Sequence, residues 1–187
     1  MGKLFVISGS SGVGKGTVIK RLLEKNPDFE LSISCTTRNK REGEIDGVHY
    51  HFMSKQNFMS AVENGDFLEW AEFSGNYYGT NRKFVEQALN ENKKIILEIE
   101  TQGAMQVKEK FENAVLIFIL PPSLDELEKR LRGRGTESEE AIQKRLNTVK
   151  SEMINSKKFD YTVVNDVVED TVVKIEDIIT NEQITAN

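Results

Sequence analysis

Cysteine and histidine are almost absent from this chain of 187 residues, which has one cysteine and two histidines. Cys35 has no second cysteine with which to form an internal disulfide, so we interpret it as a structural or incidental thiol. His49 and His51 flank Tyr50 at the spacing of a strand, but no third histidine completes a metal site with them. The sequence therefore excludes an internal disulfide framework and disfavours a Cys/His metal centre.

Long hydrophobic runs are missing as well. The longest ones, Val115–Leu120 and Ile95–Leu97, are far shorter than the ~20 residues that a membrane-spanning helix needs. The first residues of the chain lack the apolar length and cleavage site of a secretory signal. We therefore expect a cytoplasmic protein with no membrane partner, either a monomer or a homodimer.

An excess of basic residues is absent, since 25 Lys and Arg face 30 Asp and Glu and the net charge is −5. General nucleic-acid binding is therefore disfavoured, because proteins usually meet the phosphate backbone with an excess of Lys and Arg. Repeats and low-complexity tracts are also absent. The length suits a single domain with one well-buried core.

What the sequence does have is a glycine-rich turn directly after an apolar run. Leu4–Ile7 predicts a strand, and the turn after it reads Gly9-Ser10-Ser11-Gly12-Val13-Gly14-Lys15-Gly16-Thr17. Glycines let backbone N–H groups converge on phosphate, the next helix presents its positive end, and Lys15 adds a charge for β- and γ-phosphates. The pattern favours a phosphate loop that binds ATP. The alternative is a Gly/Ser-rich turn with an incidental lysine.

The residue after the lysine departs from the usual phosphate-loop pattern. That pattern has Ser or Thr at this position, whereas this chain has Gly16, followed by Thr17. We therefore assign no direct metal ligand and predict that Mg²⁺, as the cofactor, is reached through water from Thr17 or from Glu100.

Apolar runs and helical patterns alternate along much of the chain, which predicts an α/β fold with a largely parallel sheet covered by helices. Leu31–Ser34 is a weaker candidate for a fifth core strand. Ser123 and Ser138 are expected N-caps. The predicted strands are 4–8, 94–99, 115–120 and 161–164, and the predicted helices are 17–26, 101–111, 123–132 and 170–181.

Two stretches interrupt the alternation. Residues 34–82 contain short alternating runs at Val48–Phe52 and Phe67–Phe73, one helix near 54–64 and two turn signals, so we predict an inserted β-rich lobe. The basic, glycine-interrupted link from Arg130 to Arg145 has flanks with little to anchor it, which predicts a mobile helical lid over 127–149. The core would then comprise 1–33, 83–126 and 150–187 of a single domain.

The segment Thr36–Phe52 follows the spacing T-T-R-x-x-R-x-x-E-x-x-G-x-x-Y-x-F. This spacing resembles the guanylate kinase signature. With the phosphate loop and the segments Phe67–Trp70, Gly75–Gly79 and Gly133–Thr136, the resemblance covers nearly the whole chain. It implies the fold of a phosphate-loop nucleoside monophosphate kinase with a β-rich GMP-binding lobe and a lid.

The acceptor-site residues also have an argument of their own. Arg38 and Arg41, close together beside Thr36 and Thr37, favour binding of one dianionic phosphate, although a solvated basic loop is the alternative. A carboxylate such as Glu69 suits guanine, which presents adjacent N1–H and N2–H₂ donors, better than adenine. An outward-facing strand charge is the alternative for Glu69.

The resemblance implies individual roles for the site residues. It places the GMP phosphate on Arg38, Arg41, Tyr50 and Tyr78, guanine N1 and N2 on Glu69, and guanine O6 on Ser34 and Thr80. Arg38, Arg41, Arg134 and Arg145 would surround the transferring group, with Lys15 as a further catalytic residue. Arg134 and Asn165 would also contact ATP.

Acidic residues end the third core run, in Glu98 and Glu100. An acid at the carboxyl end of a parallel strand next to a phosphate loop is where Mg²⁺ or its waters are held. The family usually has Asp in place of Glu100, and the longer side chain leaves open a water-mediated or base-contacting role for this residue.

These observations predict an enzyme of purine nucleotide metabolism that transfers phosphate from ATP to GMP and also to dGMP. Two alternatives remain. One is a non-enzymatic guanylate-kinase-like interaction module that binds phosphopeptides, against which the intact phosphate loop argues. The other is a kinase for a different monophosphate, against which Glu69, Ser34 and Thr80 argue.

Overall fold

The computed structural model describes residues 2–10, 12–133 and 138–184, and the side chains at 130, 145, 183 and 184 lie outside the description. Contacts between residues divide the chain into two compact units. The first contains the chain up to Val6 together with Asp28–Ala114, and the second contains Ile7–Pro27 and the chain from Val115 onward. The strand β1 (Lys3–Gly9) is therefore shared between them.

The remaining elements of the first unit form two sheets and three helices. They are β2 (Phe29–Ser32), β3 (Cys35–Thr36), β4 (His51–Phe52), α2 (Lys55–Glu63), β5 (Phe67–Phe73), β6 (Asn76–Asn81), α3 (Arg82–Asn90), β7 (Lys94–Glu98) and α4 (Thr101–Lys110). The helix α1 (Lys15–Lys25) belongs to the second unit.

In one sheet of the first unit, β2 pairs in parallel with β7, and the first half of β1 follows β7 in strand order. The predicted fifth strand is therefore confirmed, but it occupies 29–32 rather than 31–34. Ser32 pairs with Leu97 at the last position of the register, and the chain then leaves for the second sheet at Cys35. Three apolar residues of β7, Ile95–Leu97, are fully buried.

The other sheet of the first unit has the strand order β4-β3-β6-β5 and forms the predicted β-rich lobe. β5 and β6 make an antiparallel hairpin, and positive φ angles at Ser74 and Gly75 give it a tight turn. The strand expected over Val48–Phe52 is wrong at its beginning. Val48 and His49 instead donate to the Ile45 carbonyl in a turn, and only His51–Phe52 pair with β3.

The second unit contains the second half of β1 and a parallel pair of strands. Its other elements are α1 (Lys15–Lys25), β8 (Val115–Leu120), α5 (Leu124–Gly133), α6 (Glu139–Asn155), a short 3-10 helix (Ser156–Lys158), β9 (Tyr161–Val164) and α7 (Val168–Ile184). In strand order β1 is followed by β8 and then β9, and β8 and β9 occupy the predicted positions.

Helix starts in the second unit follow the capping prediction. The Ser123 hydroxyl accepts a hydrogen bond from the Glu126 N–H at 3.0 Å, and Ser138 accepts from the Ala141 N–H at 3.3 Å. Within the described ranges, none of the helices is long and apolar enough to span a bilayer.

The flanks of the predicted lid are anchored, contrary to the sequence prediction. Apolar residues spaced by three or four along α5 and α6 pack against one another, because each helix buries one face. The buried cluster consists of Leu127, Leu131, Ile142, Leu146 and Val149.

Arg132, in the last turn of α5, is also held by ion pairs. It donates to Glu128 and to Glu139, with an Arg132 Nη2 to Glu139 Oε1 distance of 2.7 Å. These ion pairs neutralise Arg132, one of the arginines of the predicted link.

Phe58 on α2 organises the core of the β-rich lobe. Its ring is fully buried and stacks on Phe67 and Tyr77, with centroid distances of 4.4 and 5.6 Å. Cys35 is buried beside it, and burial raises the pKa of its thiol to about 11. This helix is therefore fixed to the sheet through one aromatic side chain.

We predict that Phe58→Ala lowers the free energy of unfolding by about 3–5 kcal/mol, because it removes a buried ring and leaves a cavity. Phe73→Ala is the matched control, since Phe73 on β5 is 54% exposed and its loss should change the stability by less than about 0.5 kcal/mol. Urea unfolding of both variants measures the difference, and equal losses would contradict the assignment of Phe58 to the lobe core.

Candidate active site

The glycine-rich turn after β1 is fixed by its own backbone. The Ser10 N–H donates to the Ile119 carbonyl at 3.3 Å, and the Val13 N–H donates to the Ser10 carbonyl at 3.1 Å. A Cβ at Gly9 would lie 2.9 Å from the Ile119 oxygen, so only glycine fits there. These hydrogen bonds and the close packing at Gly9 therefore fix the direction in which the chain leaves β1.

The turn leads directly into α1. Gly12 and Gly14 have φ angles of 81° and 92°, a region that favours glycine, and Gly14 is the N-cap residue. The Val18 N–H makes the first helical bond, to the Gly14 carbonyl, so the amides of the preceding turn have no intrahelical acceptor. Such amides and the positive helix end form a binding site for anions.

The residues predicted to bind ATP in the same turn differ in their exposure. Lys15 is the first residue of α1 and is half-buried, whereas Gly16 and Thr17 are exposed. The Ser10 hydroxyl is buried and has no hydrogen-bond partner among the described residues. Ser11 and Arg134 lie outside the described residues, and of Arg145 only the backbone in α6 is described.

Asn165 follows β9 and lies behind the glycine-rich turn, with 3% of its surface exposed. Its side-chain Nδ2 donates to the Val13 carbonyl at 2.7 Å, and its Oδ1 accepts from the Thr171 hydroxyl at 3.0 Å. Sequence reasoning placed Asn165 near ATP but gave no role to Thr171. A buried threonine in the first turn of a helix would have been the only signal.

In the first unit, Arg38 is bound by Glu44. Its Nη1 and Nη2 donate to the two Glu44 oxygens at 3.0 and 2.7 Å, and Glu44 also accepts from the Arg41 backbone N–H at 2.7 Å. The hydrogen bonds from Arg38 and Arg41 lower the pKa of Glu44 to about 2. The sequence signal for Glu44 was its place in the T-T-R motif, but sequence reasoning gave it no role.

Aromatic side chains surround the same arginine. The Arg38 guanidinium carbon lies 5.3 Å from the centroid of the Tyr50 ring, and Tyr50 contacts Tyr78 edge to face at 6.0 Å. Burial raises the pKa of Tyr50, and the nearby Glu98 charge adds to that rise. Arg38, Tyr50 and Tyr78 therefore lie together as predicted, and Arg41 is an exposed neighbour in the same loop.

Thr36 and Thr37 have a structural role in this cluster. The Thr36 hydroxyl donates to the Tyr77 carbonyl at 3.0 Å, and the Thr37 hydroxyl accepts from the Tyr77 N–H at 2.9 Å. These bonds attach the arginine loop to β6.

Glu69 on β5 is a buried carboxylate, so the alternative of an outward strand charge is wrong. It is 3% exposed and lies directly across from Thr80 on β6, whose hydroxyl donates to Glu69 Oε1 at 2.6 Å. Burial raises the pKa of Glu69 to about 6, against the lowering effects of Thr80 and Lys110. The single Thr80 proton is therefore used by Glu69 in this arrangement. Ser34 is half-buried just before β3.

The other Glu69 oxygen lies against the first turn of α4. A Cβ added to Gly103 would be 2.3 Å from Glu69 Oε2, so a side chain at this position would displace the carboxylate. Gln106 bonds both backbone groups of Trp70, and Lys110 donates to the Leu68 carbonyl, which ties α4 to β5. Sequence reasoning missed Gly103, although a glycine inside a helix is itself a signal.

Glu98 ends β7 and Glu100 caps α4, so both predicted acids lie at the carboxyl end of this strand. Across residues 2–10, 12–133 and 138–184, no three Asp, Glu, His or Cys side chains form a metal-binding cluster. Mg²⁺ usually keeps several waters and is bound through one or two protein oxygens together with substrate phosphates. The exposed Thr17 hydroxyl or the exposed Glu100 carboxylate fits that mode of binding.

Each unit thus contains one of the two groups of candidate site residues. The second unit has a glycine-rich turn and a helix start of the kind that binds anions, and the first has a cluster of Arg38, Tyr50 and Tyr78 together with the buried Glu69 carboxylate. A strand, a glycine-rich turn and a helix with lysine at its start, combined with a second anion site, define the class of phosphate-loop nucleotide kinases.

Comparison with known proteins identifies the family. The guanylate kinase family profile matches residues 1–182. The chain is 53% identical to guanylate kinase of Clostridium perfringens and 50% identical to that of Desulfitobacterium hafniense, each over 182 residues. These alignments cover 97% of this chain and 84% and 91% of the relatives.

A solved structure agrees with these sequences. The crystal structure of guanylate kinase from Anaplasma phagocytophilum superposes with a TM-score of 0.81 at 35% identity, covering 97% of this chain and 86% of the other. This chain belongs to the guanylate kinase family, whose activity is the ATP-dependent phosphorylation of GMP to GDP.

The buried carboxyl predicts a pH-dependent loss of stability. Because folding raises the pKa of Glu69 from 4.5 to about 6, its burial costs nothing below pH 4.5 and costs about 2 kcal/mol once pH exceeds the folded pKa. We therefore expect the stability of Glu69→Gln relative to the native chain to rise by about 2 kcal/mol between pH 4.5 and pH 7.5.

Urea unfolding at both pH values measures this change. Glu72→Gln on the same strand is the control, since Glu72 is exposed and its replacement should show no such rise. A relative stability of Glu69→Gln that is constant with pH would show that the carboxyl is not desolvated.

Proposed function

We propose that Arg38, Arg41, Tyr50 and Tyr78 bind the phosphate of GMP or dGMP and that Glu69 selects guanine. The single observation that carries the choice of base is the buried Glu69 carboxylate. Guanine presents N1–H and N2–H₂ as adjacent donors to such a group, whereas adenine presents an acceptor at N1. An acceptor facing an acceptor in a buried site costs about 1–3 kcal/mol or more.

The phosphate of the acceptor nucleotide would accept hydrogen bonds from the Arg38 guanidinium, as Glu44 does. Both groups present anionic oxygens, and a guanidinium matches a carboxylate or a phosphate through parallel N–H donors. Glu44 holds the Arg38 fork at 2.7–3.0 Å, which fixes the guanidinium above the Tyr50 ring. Ser34 stays a predicted donor to guanine O6, whereas Thr80 would donate to O6 only once its proton leaves Glu69 Oε1.

For the donor nucleotide, we propose that the amides of Gly12 and of residues 14–17 surround the ATP phosphates, since the Val13 amide donates to Ser10, and that Lys15 neutralises charge on the β- and γ-phosphates. The roles of Ser11, Arg134 and Arg145, and of a lid over 127–149, remain predictions from the resemblance. We also infer that the enzyme acts in the cytoplasm on free nucleotides.

We infer Mg²⁺ as the metal cofactor, with Thr17 or Glu100 as the protein residue nearest to it. When bound with ATP, Mg²⁺ neutralises phosphate charge as it develops in the transition state. Among the described residues no group of three Asp, Glu, His or Cys side chains forms a closed metal cage, which is consistent with this mode.

The chemistry needs little acid or base assistance from the protein. A GMP phosphate oxygen is already a competent nucleophile; it forms a bond to the γ-phosphorus while the bond to the ATP β-phosphate oxygen breaks, giving GDP and ADP. The residues of the chain therefore act by positioning and by neutralising charge.

A survey of acceptors tests the choice of base. We expect the native enzyme to use GMP and dGMP and to discriminate against AMP, CMP and UMP by about a hundredfold or more in kcat/KM, because the buried carboxylate demands paired donors. ADP release measured by a coupled assay gives these values. Comparable use of AMP would overturn the assignment of guanine to Glu69.

The variant Glu69→Gln sharpens that survey. It should lower kcat/KM for GMP by about 10- to 100-fold while the KM for ATP changes by less than about twofold, because an amide offers guanine one acceptor and one competing donor. Glu72→Gln should change neither constant. Equal effects on both nucleotides would assign Glu69 to general stability.

We predict that Gly103→Ala raises the KM for GMP by about tenfold and leaves the KM for ATP within about twofold. Alanine suits a helix better than glycine by about 1 kcal/mol, so the helix itself should tolerate the change. The added Cβ, however, would displace Glu69 Oε2 from a position 2.3 Å away. Glu109→Ala, at an exposed position of the same helix, is the control.

Steady-state kinetics of the two variants decide the question. An unchanged KM for GMP in Gly103→Ala would show that the carboxylate does not need its observed position to bind the base.

A further inference from the structure

We propose that Asn165, oriented by Thr171, is a positioning residue that sets the direction of a phosphate-binding amide in the glycine-rich turn, rather than a residue that reads the adenine base. This inference rests on the proposed function of that turn as the ATP phosphate site. It concerns residues of the second unit alone.

The Val13 carbonyl of the glycine-rich turn needs a hydrogen-bond partner. A turn that directs its N–H groups at phosphate must direct some carbonyls away from it, and a buried carbonyl without a partner is costly. Asn165 supplies that partner, since its Nδ2 donates to the Val13 oxygen at 2.7 Å with both groups buried.

The planarity of the peptide bond couples the direction of the Val13 carbonyl to that of the Gly14 N–H. The Val13 C=O and the Gly14 N–H belong to one trans peptide group and point in opposite directions. A hydrogen bond that fixes the Val13 oxygen towards Asn165 therefore fixes the Gly14 N–H away from Asn165. Because Gly14 is the N-cap of α1, its N–H then points to where the helix end attracts an anion.

Close packing supports the same function. A Cβ on Gly14 would lie 3.0 Å from Asn165 Nδ2, so the turn lies directly on the amide. Gly14 has a φ of 92°, a conformation that its own sequence neighbours do not enforce. The amide behind the turn thus holds a peptide whose glycine neighbour is intrinsically free to rotate.

Asn165 is itself held in place at both ends. Its backbone N–H donates to the Leu120 carbonyl at 2.8 Å, and its Oδ1 accepts from Thr171, which is fully buried. Since the Val13 carbonyl is only an acceptor and the Thr171 hydroxyl is a donor, the amide has one orientation that satisfies both. The Thr171 hydroxyl oxygen also lies 2.9 Å from the Val167 carbonyl and 3.3 Å from the Val164 carbonyl, so Asn165 Oδ1 shares its one proton with these two acceptors.

The two roles differ in their dependence on the nucleotide base. A residue that contacts adenine affects ATP and has no effect on a triphosphate without a base. A residue that holds the turn affects both ligands alike. Inorganic tripolyphosphate is therefore the probe that separates the two roles, and its binding requires no catalysis.

The experiment measures the affinities of the full chain for ATP and for tripolyphosphate by titration calorimetry. We expect Asn165→Ala and Thr171→Val to weaken both ligands by a similar factor, about tenfold, and Thr171→Ser to restore the native affinities because it keeps the hydroxyl. Thr162→Val, an exposed threonine of β9, is the matched control. In the kinetics, KM for ATP should rise while KM for GMP changes by less than about twofold.

The opposite outcomes are equally clear. Loss of ATP affinity with unchanged tripolyphosphate affinity would overturn the proposal in favour of an adenine contact, and unchanged affinity for both ligands in the folded variants would also overturn it. If Asn165→Ala fails to fold by circular dichroism, the Thr171→Val and Thr171→Ser pair decides. A native protein that binds neither ligand would instead contradict the proposed function, and this inference with it.

Discussion

The orientation of a few backbone peptides in the turn after β1 is the constraint on which the donor site depends. Backbone N–H groups bind phosphate only if they point the same way, and glycines alone do not enforce that, since they adopt many conformations. Ser10 and Val13 are fixed by hydrogen bonds to Ile119 and Ser10, and Asn165 fixes the Val13 carbonyl. Flexible residues thus become a rigid site through partners elsewhere in the second unit.

The first unit has one buried and one ion-paired carboxylate at its candidate site, and the buried one costs stability. Glu69 is desolvated, which raises its pKa to about 6, so the folded chain holds an unfavourable charge near neutral pH. Glu44 is instead stabilised as an anion by Arg38 and Arg41, and its pKa falls to about 2. The buried Glu69 carboxylate thus lacks full compensation of its charge, whereas the Glu44 carboxylate, which orients an arginine, is well compensated.

Several elements were predictable because local pattern and burial agree there. Val115–Leu120 is apolar throughout and became the buried strand β8 at the predicted residues. The alternation over Val48–Phe52 led to a wrong prediction for the start of the strand. Turn hydrogen bonds to Ile45 and the exposure of Val48 determine the conformation of that segment instead. The flanks of the predicted lid also misled, since α5 and α6 supply a partner for each other that neither sequence shows alone.

The sequence by itself determined the chemistry available at each site: a glycine-rich turn with Lys15, two arginines in one motif, and one carboxylate on a strand. It did so because phosphate loops and anion motifs need particular residues at short spacings. Only the tertiary structure decided that Glu69 is buried against Gly103, that Glu44 holds Arg38, and that Asn165 contacts Val13. Burial and partners 34 or 152 positions apart arise from packing, which no local pattern records.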